Sequence, residues 1–290
     1  MAETGRLSAP ASVLNRMQDW VREHSVALLR IFIIVTVLLV WEGLAQSGWL
    51  YRDVVPSLAK IGASLFALLT VPDMPWRIDI PWLGIDGSFM VPSIYWHLYA
   101  TFYEIVLGML IGGVSGLAVG ILLGGSKLMQ RAYEPFLYYL GPCPKIIFFP
   151  IMIMWFGVGP GSKVAMGAIS CFFPVALNVA GGMREIDKVL IRVGRSFRAN
   201  TWQMVTKIYM PAMRHPIING MRLGLGVCLI GALLAETKLS NRGVGFLVIQ
   251  AYTLFDMPLM YSLLIVLFVI AIGANALIGR LGGLDTIKRS

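Results

Sequence analysis

Charged side chains are rare in the apolar stretches of this sequence, and the few that occur are the first candidates for chemistry. They are Glu42, Glu104, Lys145, Arg222 and Glu236. An ionisable group inside a bilayer is costly, so it commonly faces a solute pathway or pairs with another group. Snorkelling or structural pairing also explains Glu42, Arg222 and Glu236, because each lies within about two turns of the end of its stretch. With the deeply placed Asn178, the candidates for lining a pathway are Glu104, Lys145, Asn178, Arg222 and Glu236.

Motifs for catalysis are absent from the sequence. The segment Gly157–Lys163 (GVGPGSK) resembles a phosphate-binding loop, but it lacks the Gly-Lys-Ser/Thr ending. Neither a His-Glu-x-x-His helix, nor paired Cys-x-x-Cys, nor a nucleophile elbow occurs. The three cysteines, Cys143, Cys171 and Cys228, lack metal-ligand spacing and read as small buried hydrophobes. We therefore expect no enzymatic activity, no metal site and no bound cofactor.

The composition indicates a membrane protein. Of the 290 residues, 57% are hydrophobic and 13% are charged, whereas a soluble domain has about 25% charged residues. The formal net charge is +9. In an apolar chain such cations mark loops that face anionic lipid, so we expect the bilayer as a partner and no nucleic acid.

Six apolar stretches are long enough to cross a bilayer, which predicts an all-α polytopic fold. They cover about residues 26–45, 98–123, 137–156, 164–182, 217–235 and 259–278. The second stretch has a glycine at every fourth position, which gives one bare helix face for close packing. These glycines are Gly108, Gly112, Gly116, Gly120 and Gly124. The third stretch contains Pro142, Pro144 and Pro150, so we place it inside the bundle, where freed backbone groups find partners.

The longest segment between stretches covers residues 48–97. Pro56–Thr70 has the apolar periodicity of a helix. Residues 71–92 are rich in proline, glycine, tryptophan and aspartate, which suits turns or a small hairpin. Contact with a partner and a loop packed on the rim both remain open for this segment.

The distribution of lysine and arginine predicts the orientation. Seven basic residues lie between the fourth and fifth stretches: Arg184, Lys188, Arg192, Arg195, Arg198, Lys207 and Arg214. The positive-inside rule places this loop and both termini in the cytoplasm. Within the loop, the segment Arg192–Pro211, here called the basic segment, has Arg195 and Gln203 on one side and Phe197 and Trp202 roughly opposite. This pattern predicts a short amphipathic helix that can dock onto a partner outside the membrane.

Several short motifs follow one another in a familiar order. They are the run RSFRANTWQ from Arg195 to Gln203, Ile208-x-Met210-Pro211, Trp155–Gly159 (WFGVG), Pro144 with Pro150, Ala235-Glu236, and Gly243-Val244-Gly245. In this order and spacing the chain resembles the permease subunits of bacterial ABC importers of the nitrate/sulfonate/taurine branch. The resemblance covers about residues 98–279, most of the chain.

The resemblance implies a type I importer permease fold. An N-terminal cytoplasmic segment (1–25) and a first transmembrane helix (26–47) would precede a periplasmic segment (48–97) with an inserted loop (71–92). A permease core (98–283) of five helices and a cytoplasmic tail (284–290) would follow. The protein would lie in the bacterial inner membrane.

The resemblance also implies partners. These are a second copy of the chain, an ATP-binding subunit dimer that holds ATP and Mg²⁺, and a periplasmic binding protein that delivers a small solute, in our interpretation an anion. A coupling helix at about 192–201 would contact the ATPase through Arg192, Arg195, Ser196, Phe197, Arg198, Ala199, Asn200 and Trp202. Gly243 and Gly245 would begin a re-entrant helix at an outer gate.

The basic segment departs from the family pattern at two places. Arg192-Val193-Gly194 stands where Glu-Ala-Ala is usual, and Arg198 stands where glycine is usual. A stand-alone gradient-driven carrier is the alternative function, although the spans lack paired midplane acids and an obvious internal repeat. An intramembrane enzyme is a third hypothesis, which the missing nucleophile, base and metal ligands disfavour.

Overall fold

The computed structural model describes residues 25–49, 54–80, 85–238 and 240–281, and within these ranges the chain is mostly helical. The elements in chain order are α1 (Ser25–Ser47), α2 (Leu58–Thr70), β1 (Met74–Ile80), β2 (Ile85–Val91), α3 (Ile94–Gly125), α4 (Lys127–Leu140), α5 (Phe149–Phe156), α6 (Pro160–Glu185), α7 (Lys188–Ser196), α8 (Thr201–Met204), α9 (Arg214–Glu236), α10 (Val244–Thr253) and α11 (Met257–Leu281). In the described ranges, α1, α3, α6, α9 and α11 are long and apolar enough to span a membrane. The all-α polytopic prediction is confirmed.

The described chain divides into two compact units between residues 61 and 62. In the first unit, Glu42 accepts hydrogen bonds from the Leu58 amide (2.9 Å) and from Gln46 Nε2 (2.7 Å). Trp41 Nε1 donates to the Pro56 carbonyl oxygen at 3.2 Å. Glu42 therefore has the structural pairing that its position near a span end suggested, and it caps the start of α2.

Three helices, α3, α6 and α9, form the core of the second unit, and the glycine ladder of α3 lies at its centre. A methyl group at Gly116 would lie 2.8 Å from the Phe172 carbonyl oxygen, and one at Gly120 would lie 2.6 Å from Val179 Cβ. Gly112 faces the Ala168 carbonyl oxygen even more closely, and Gly108 faces Cys228 Sγ. The absence of a Cβ at these positions lets α3 and α6 approach closely.

The third apolar stretch is not one continuous helix, contrary to the single span predicted for residues 137–156. The helix α4 ends at Leu140, and a 3₁₀ turn over Lys145–Phe148 leads into α5. The stretch formed by this turn and α5 lies at 93° to α4. Pro142 and Pro144 lack the N–H groups that a continuing helix needs, and each disfavours helical backbone in the residue before it. Pro150, in contrast, lies in the first turn of α5, where the missing N–H costs nothing.

The inserted segment forms the hairpin that its composition allowed. Strands β1 and β2 pair antiparallel, from Met74 opposite Val91 to Ile80 opposite Ile85. The Asp73 carboxylate accepts hydrogen bonds from the backbone N–H and the hydroxyl of Ser93, just before α3. The base of the hairpin is thereby fixed to the first turn of α3. We call this end of the second unit the hairpin end and the opposite end the loop end.

Candidate functional site

The basic segment ends its first helix with a Schellman motif. The Ala199 amide donates to the Gly194 carbonyl oxygen at 3.1 Å, and the Arg198 amide donates to the Arg195 carbonyl oxygen at 2.9 Å. Arg198 is the left-handed residue of the motif, with φ +52°. Glycine usually occupies this position because it has no Cβ to clash in that conformation. The left-handed backbone at this position explains why glycine is usual there in the family pattern. Arg198 adopts the same backbone at a cost in conformational free energy.

The next helix begins with a capping box directly after this turn. The Asn200 side chain accepts from the Gln203 amide at 2.8 Å, and the Gln203 side chain accepts from the Asn200 amide at 2.9 Å. The helix α8 then continues into a π-helical stretch, Val205–Tyr209. The helix predicted over about 192–201 is therefore two helices with a turn at residues 197–200. The i, i+4 pattern did not reveal this break because the capping residues keep the apolar spacing.

The two helices of the basic segment fold back onto each other. Gly194 is buried, and a methyl group there would lie 2.6 Å from Met204 Sδ and would also overlap the end of the Ile208 side chain. This position corresponds to the second alanine of the family's Glu-Ala-Ala motif, so the requirement for a small residue is met. Val193, at the first alanine position, is exposed and meets no such restriction.

Two large aromatic side chains project from the tip of this folded segment. Phe197 is 81% exposed and Trp202 is 74% exposed, on either side of the turn. Arg192, Arg195, Ser196, Arg198 and Asn200 are also exposed, and Ala199 is partly exposed. Exposed aromatic residues on a rigid turn, surrounded by cations, are typical of a surface that binds a partner protein.

A buried polar cluster occupies the hairpin end of the bundle. It consists of Thr101 and Glu104 on α3, Lys163 on α6 and Glu236 at the end of α9, none more than 4% exposed. The Thr101 hydroxyl donates to Glu236 Oε1 at 2.7 Å, and the carboxyl groups of Glu104 and Glu236 adjoin each other. Lys163 Nζ donates to the carbonyl oxygens of Val158 (2.8 Å) and Gly159 (3.1 Å), and its charge acts on both carboxyl groups.

The predicted gate glycines lie against this cluster. The Gly245 amide donates to Glu236 Oε2 at 2.6 Å, and the Val244 amide donates to the Thr101 hydroxyl at 2.8 Å. Gly243 has φ +102°, and a side chain there would overlap the Glu236 carboxyl group. Glu236 and Thr101 together satisfy free amides in the first turn of α10. A helix, α10, begins at Val244, between the two glycines that were expected to start one.

The structure brings together only some of the polar residues predicted to line a pathway. Glu104 and Glu236 meet in the buried polar cluster. Asn178 donates to the Pro174 carbonyl oxygen of its own helix at 2.8 Å, and Lys145 Nζ donates to the Gly141 carbonyl oxygen and lies 5.0 Å from the centre of the Phe173 ring. Arg222 packs against Gly279 of α11, and its buried Nε has no partner among the described residues. That any of these five residues lines a pathway stays a prediction.

Sequence reasoning missed three members of the hairpin-end network. Thr101 and Lys163 belong to the cluster itself. His97 lies one turn before Thr101, and its Nδ1 lies 3.1 Å from both the amide nitrogen and the carbonyl oxygen of Gly243. A usable signal existed, because His97, Thr101 and Glu104 follow each other at intervals of four and three residues and therefore share one face of α3.

The described part of the chain contains no group of three His, Cys, Asp or Glu side chains placed to hold a metal ion.

Comparison with known families gives a clear match. The model for the family "Binding-protein-dependent transport system inner membrane component" matches residues 116–283, more than half of the chain. The chain belongs to this family. It is therefore a permease-type, multi-pass membrane protein, and its predicted family and fold class are confirmed.

Individual proteins that the chain is similar to also carry the names of transport permease proteins. The chain is 33% identical over 214 residues to the putative aliphatic sulfonates transport permease protein SsuC of Bacillus subtilis, covering 72% of this chain and 76% of that protein. It is 29% identical over 198 residues to the taurine transport system permease protein TauC of Escherichia coli, covering 67% and 72%. Among solved structures, the MetNI methionine ABC transporter in an inward-facing conformation matches with TM-score 0.57 and 21% identity, covering 68% of this chain and 97% of that one. This likeness shows the shared fold.

Proposed function

We propose that two copies of this chain form the pathway of an ATP-driven importer, with the basic segment docked onto a separate ATP-binding subunit in the cytoplasm. The observation that carries this proposal is the tip of that segment. A Schellman motif and a capping box hold Phe197 and Trp202 outward on a turn with little freedom. Such a rigid projection can receive force from a partner, whereas a loose loop would absorb it.

Two copies are proposed because of what one copy lacks. A cavity of about 550 Å³ lies among α3, α9 and α11, and apolar side chains such as Met109, Leu117, Leu225 and Ala274 line it. An apolar cavity offers no partners to a hydrated solute. The pathway in this proposal therefore runs between copies, with a periplasmic binding protein docking at the hairpin end and both termini in the cytoplasm.

The proposed solute is a small anion of the sulfonate, taurine or nitrate type. The names of the sulfonate and taurine relatives support this class. Arg222 supports it from the structure, because this guanidinium is partly buried on a transmembrane helix and its Nε lacks a partner in the described chain. A guanidinium with free donors is the natural ligand for a sulfonate or carboxylate.

The decisive experiment reconstitutes the permease with its ATP-binding subunit and binding protein in liposomes. We expect uptake of taurine, an alkanesulfonate or nitrate only when ATP and the binding protein are both supplied. Uptake by the permease alone under an ion gradient, without ATP, would instead establish the gradient-driven carrier.

The docking surface is tested by two variants with matched controls. Arg198→Glu and Trp202→Ala should lower binding-protein-stimulated ATP hydrolysis about tenfold or more, because central aromatic and arginine residues dominate such interfaces. Lys60→Glu makes the same charge reversal and Trp49→Ala the same truncation at exposed residues of the first unit, and both should leave hydrolysis unchanged. Membrane insertion should be normal in all four. Full stimulation in both tip variants would overturn the assignment of the docking surface.

A further inference from the structure

The unusual feature of the hairpin end is a pair of buried carboxyl groups on different helices. Glu236 is fully buried and accepts hydrogen bonds from the Thr101 hydroxyl and the Gly245 amide. Glu104 is 2% exposed, adjoins Glu236, and has an oxygen, Oε2, without a hydrogen-bond partner in the described chain. The glycine ladder explains how α3 packs, but it does not explain why an acid is placed here.

Two ionised carboxylates cannot bond to each other, because each has acceptors only. A contact between them in a low-dielectric interior requires a proton on one of the two. Glu236 already accepts from two other donors, so its oxygens are engaged as acceptors. The Oε2 atom of Glu104 accepts from no donor in the described chain, so Glu104 is the group left to carry the proton.

The charges around the pair agree with one shared proton. Lys163 is the cation that faces both carboxyl groups from α6. One carboxylate, one neutral acid and one ammonium leave this buried cluster without net charge. Among the described residues at this end, Asp73 at the base of the hairpin and Arg242, which also stacks on Trp96, act on His97. Lys238, two residues after Glu236, is exposed.

We infer that Glu104 is a positioning residue held as a neutral acid, which donates its proton to Glu236 and thereby fixes the start of α10 onto α3. Glu236 and Thr101 hold the amides of Gly245 and Val244, and His97 holds Gly243, so the pair lies directly behind the first turn of α10. Loss of the shared proton would place two negative charges side by side and push α3 and α9 apart at this end. The inference assigns Glu104 to the closure of the gate, which rests on the proposed import function.

Infrared spectroscopy of the protein in lipid tests the proton without any transport assay. A protonated buried carboxyl group has a carbonyl stretch that is separate from the carboxylate bands. We expect this band at neutral pH in the wild type and in Glu185→Gln, where Glu185 is an exposed carboxylate at the loop end. The band should be absent in Glu104→Gln. Its absence from the wild type, or its persistence in Glu104→Gln, would overturn the inference.

Import by the reconstituted complex tests what the proton does. Glu104→Gln keeps a donor toward Glu236 and should import at the rate of the wild type at neutral pH. We expect wild-type import to decline as pH rises, because Glu104 would lose its proton, and we expect no such decline in the glutamine variant. Glu104→Leu is also neutral but cannot donate, and it should import about tenfold more slowly. Equal import by the leucine and glutamine variants would show that Glu104 only fills space and would refute the positioning role. If no variant and no wild type imports under ATP, the proposed function fails while the infrared result still stands.

Discussion

Replacing Arg198 with glycine tests whether the tip of the basic segment holds a strained backbone. Arg198 has φ +52° and is the only residue of the turn 197–200 with a positive φ. A non-glycine residue in the left-handed region costs about 1–2 kcal/mol. Glycine removes this cost but loses more conformational freedom on ordering, which offsets about 0.5–1 kcal/mol. The net expected gain is about 0.5–1 kcal/mol.

This gain is local, so its assay is amide hydrogen exchange of the turn in the lipid-embedded protein. The Ala199 amide, which donates to the Gly194 carbonyl oxygen, reports the opening of the Schellman motif directly. A gain of about 0.5–1 kcal/mol slows its exchange by about two- to fivefold. Arg198→Val should accelerate the same exchange, because a β-branched residue tolerates the left-handed region worst.

Arg192→Gly is the matched control, because it makes the same change inside α7, where the backbone is helical. Glycine inside a helix costs about 1 kcal/mol, so exchange should become faster there. If Arg198→Gly also accelerates exchange at Ala199, the left-handed conformation is not strained, and the backbone explanation for the usual family glycine is wrong.

Three further predictions concern the stability of the transmembrane core, measured as the melting temperature in lipid nanodiscs. Gly112→Ala should cost about 1–3 kcal/mol by pushing α3 away from α6, whereas Gly226→Ala, where the structure leaves open space, should be tolerated; equal melting temperatures would contradict the packing role of the ladder. Thr101→Val should cost about 1–3 kcal/mol because it removes the hydroxyl that links Glu236 to the Val244 amide, and Thr101→Ser should retain most of the stability. Arg184→Gln should cost about 1–2 kcal/mol, because it leaves the buried Glu134 without its 2.8 Å ion pair. The expected cost is at the low end for a buried pair because Arg184 is partly exposed. Adding Glu134→Gln should recover most of the lost stability.

The helices and their packing face could be predicted from the sequence because both depend on local pattern. Apolar stretches set the positions of α1, α3, α6, α9 and α11, and a four-residue glycine repeat fixes which face of α3 lies against α6. The bend after Leu140 was missed for a physical reason. Hydropathy carries no information on the direction of a helix axis, so it cannot show a bend. The three prolines were interpreted as lying in one span, although two of them follow directly after the end of a helix.

The buried polar cluster could be predicted only in part. Glu104 and Glu236 were identified as unusual because a charge in a membrane span is conspicuous in any sequence. Their contact was not predictable, because it joins α3 to α9 across 132 positions of sequence and depends on how the helices are staggered. Thr101 and Lys163 gave weaker signals, since a threonine is common in apolar helices and Lys163 lies beside a glycine-rich turn that suggested a loop.

The two proposed sites lie at opposite ends of the same pair of helices. The basic segment follows α6 through the Asp187 cap of α7 and leads into α9, so these two helices flank it directly. At their far ends, α6 carries Lys163 and α9 carries Glu236, which meet in the buried polar cluster behind α10. Helices of 26 and 23 residues packed on the glycine face of α3 are stiff. A displacement of the basic segment that moves one of these two helices relative to the other therefore changes the separation of Lys163 and Glu236, unless the helices bend. In the proposed importer, closure of the ATP-binding subunits would reach the shared proton of Glu104 and Glu236 by this route, and Gly112→Ala, which loosens the pair α3–α6, should uncouple ATP hydrolysis from import even where the protein still folds.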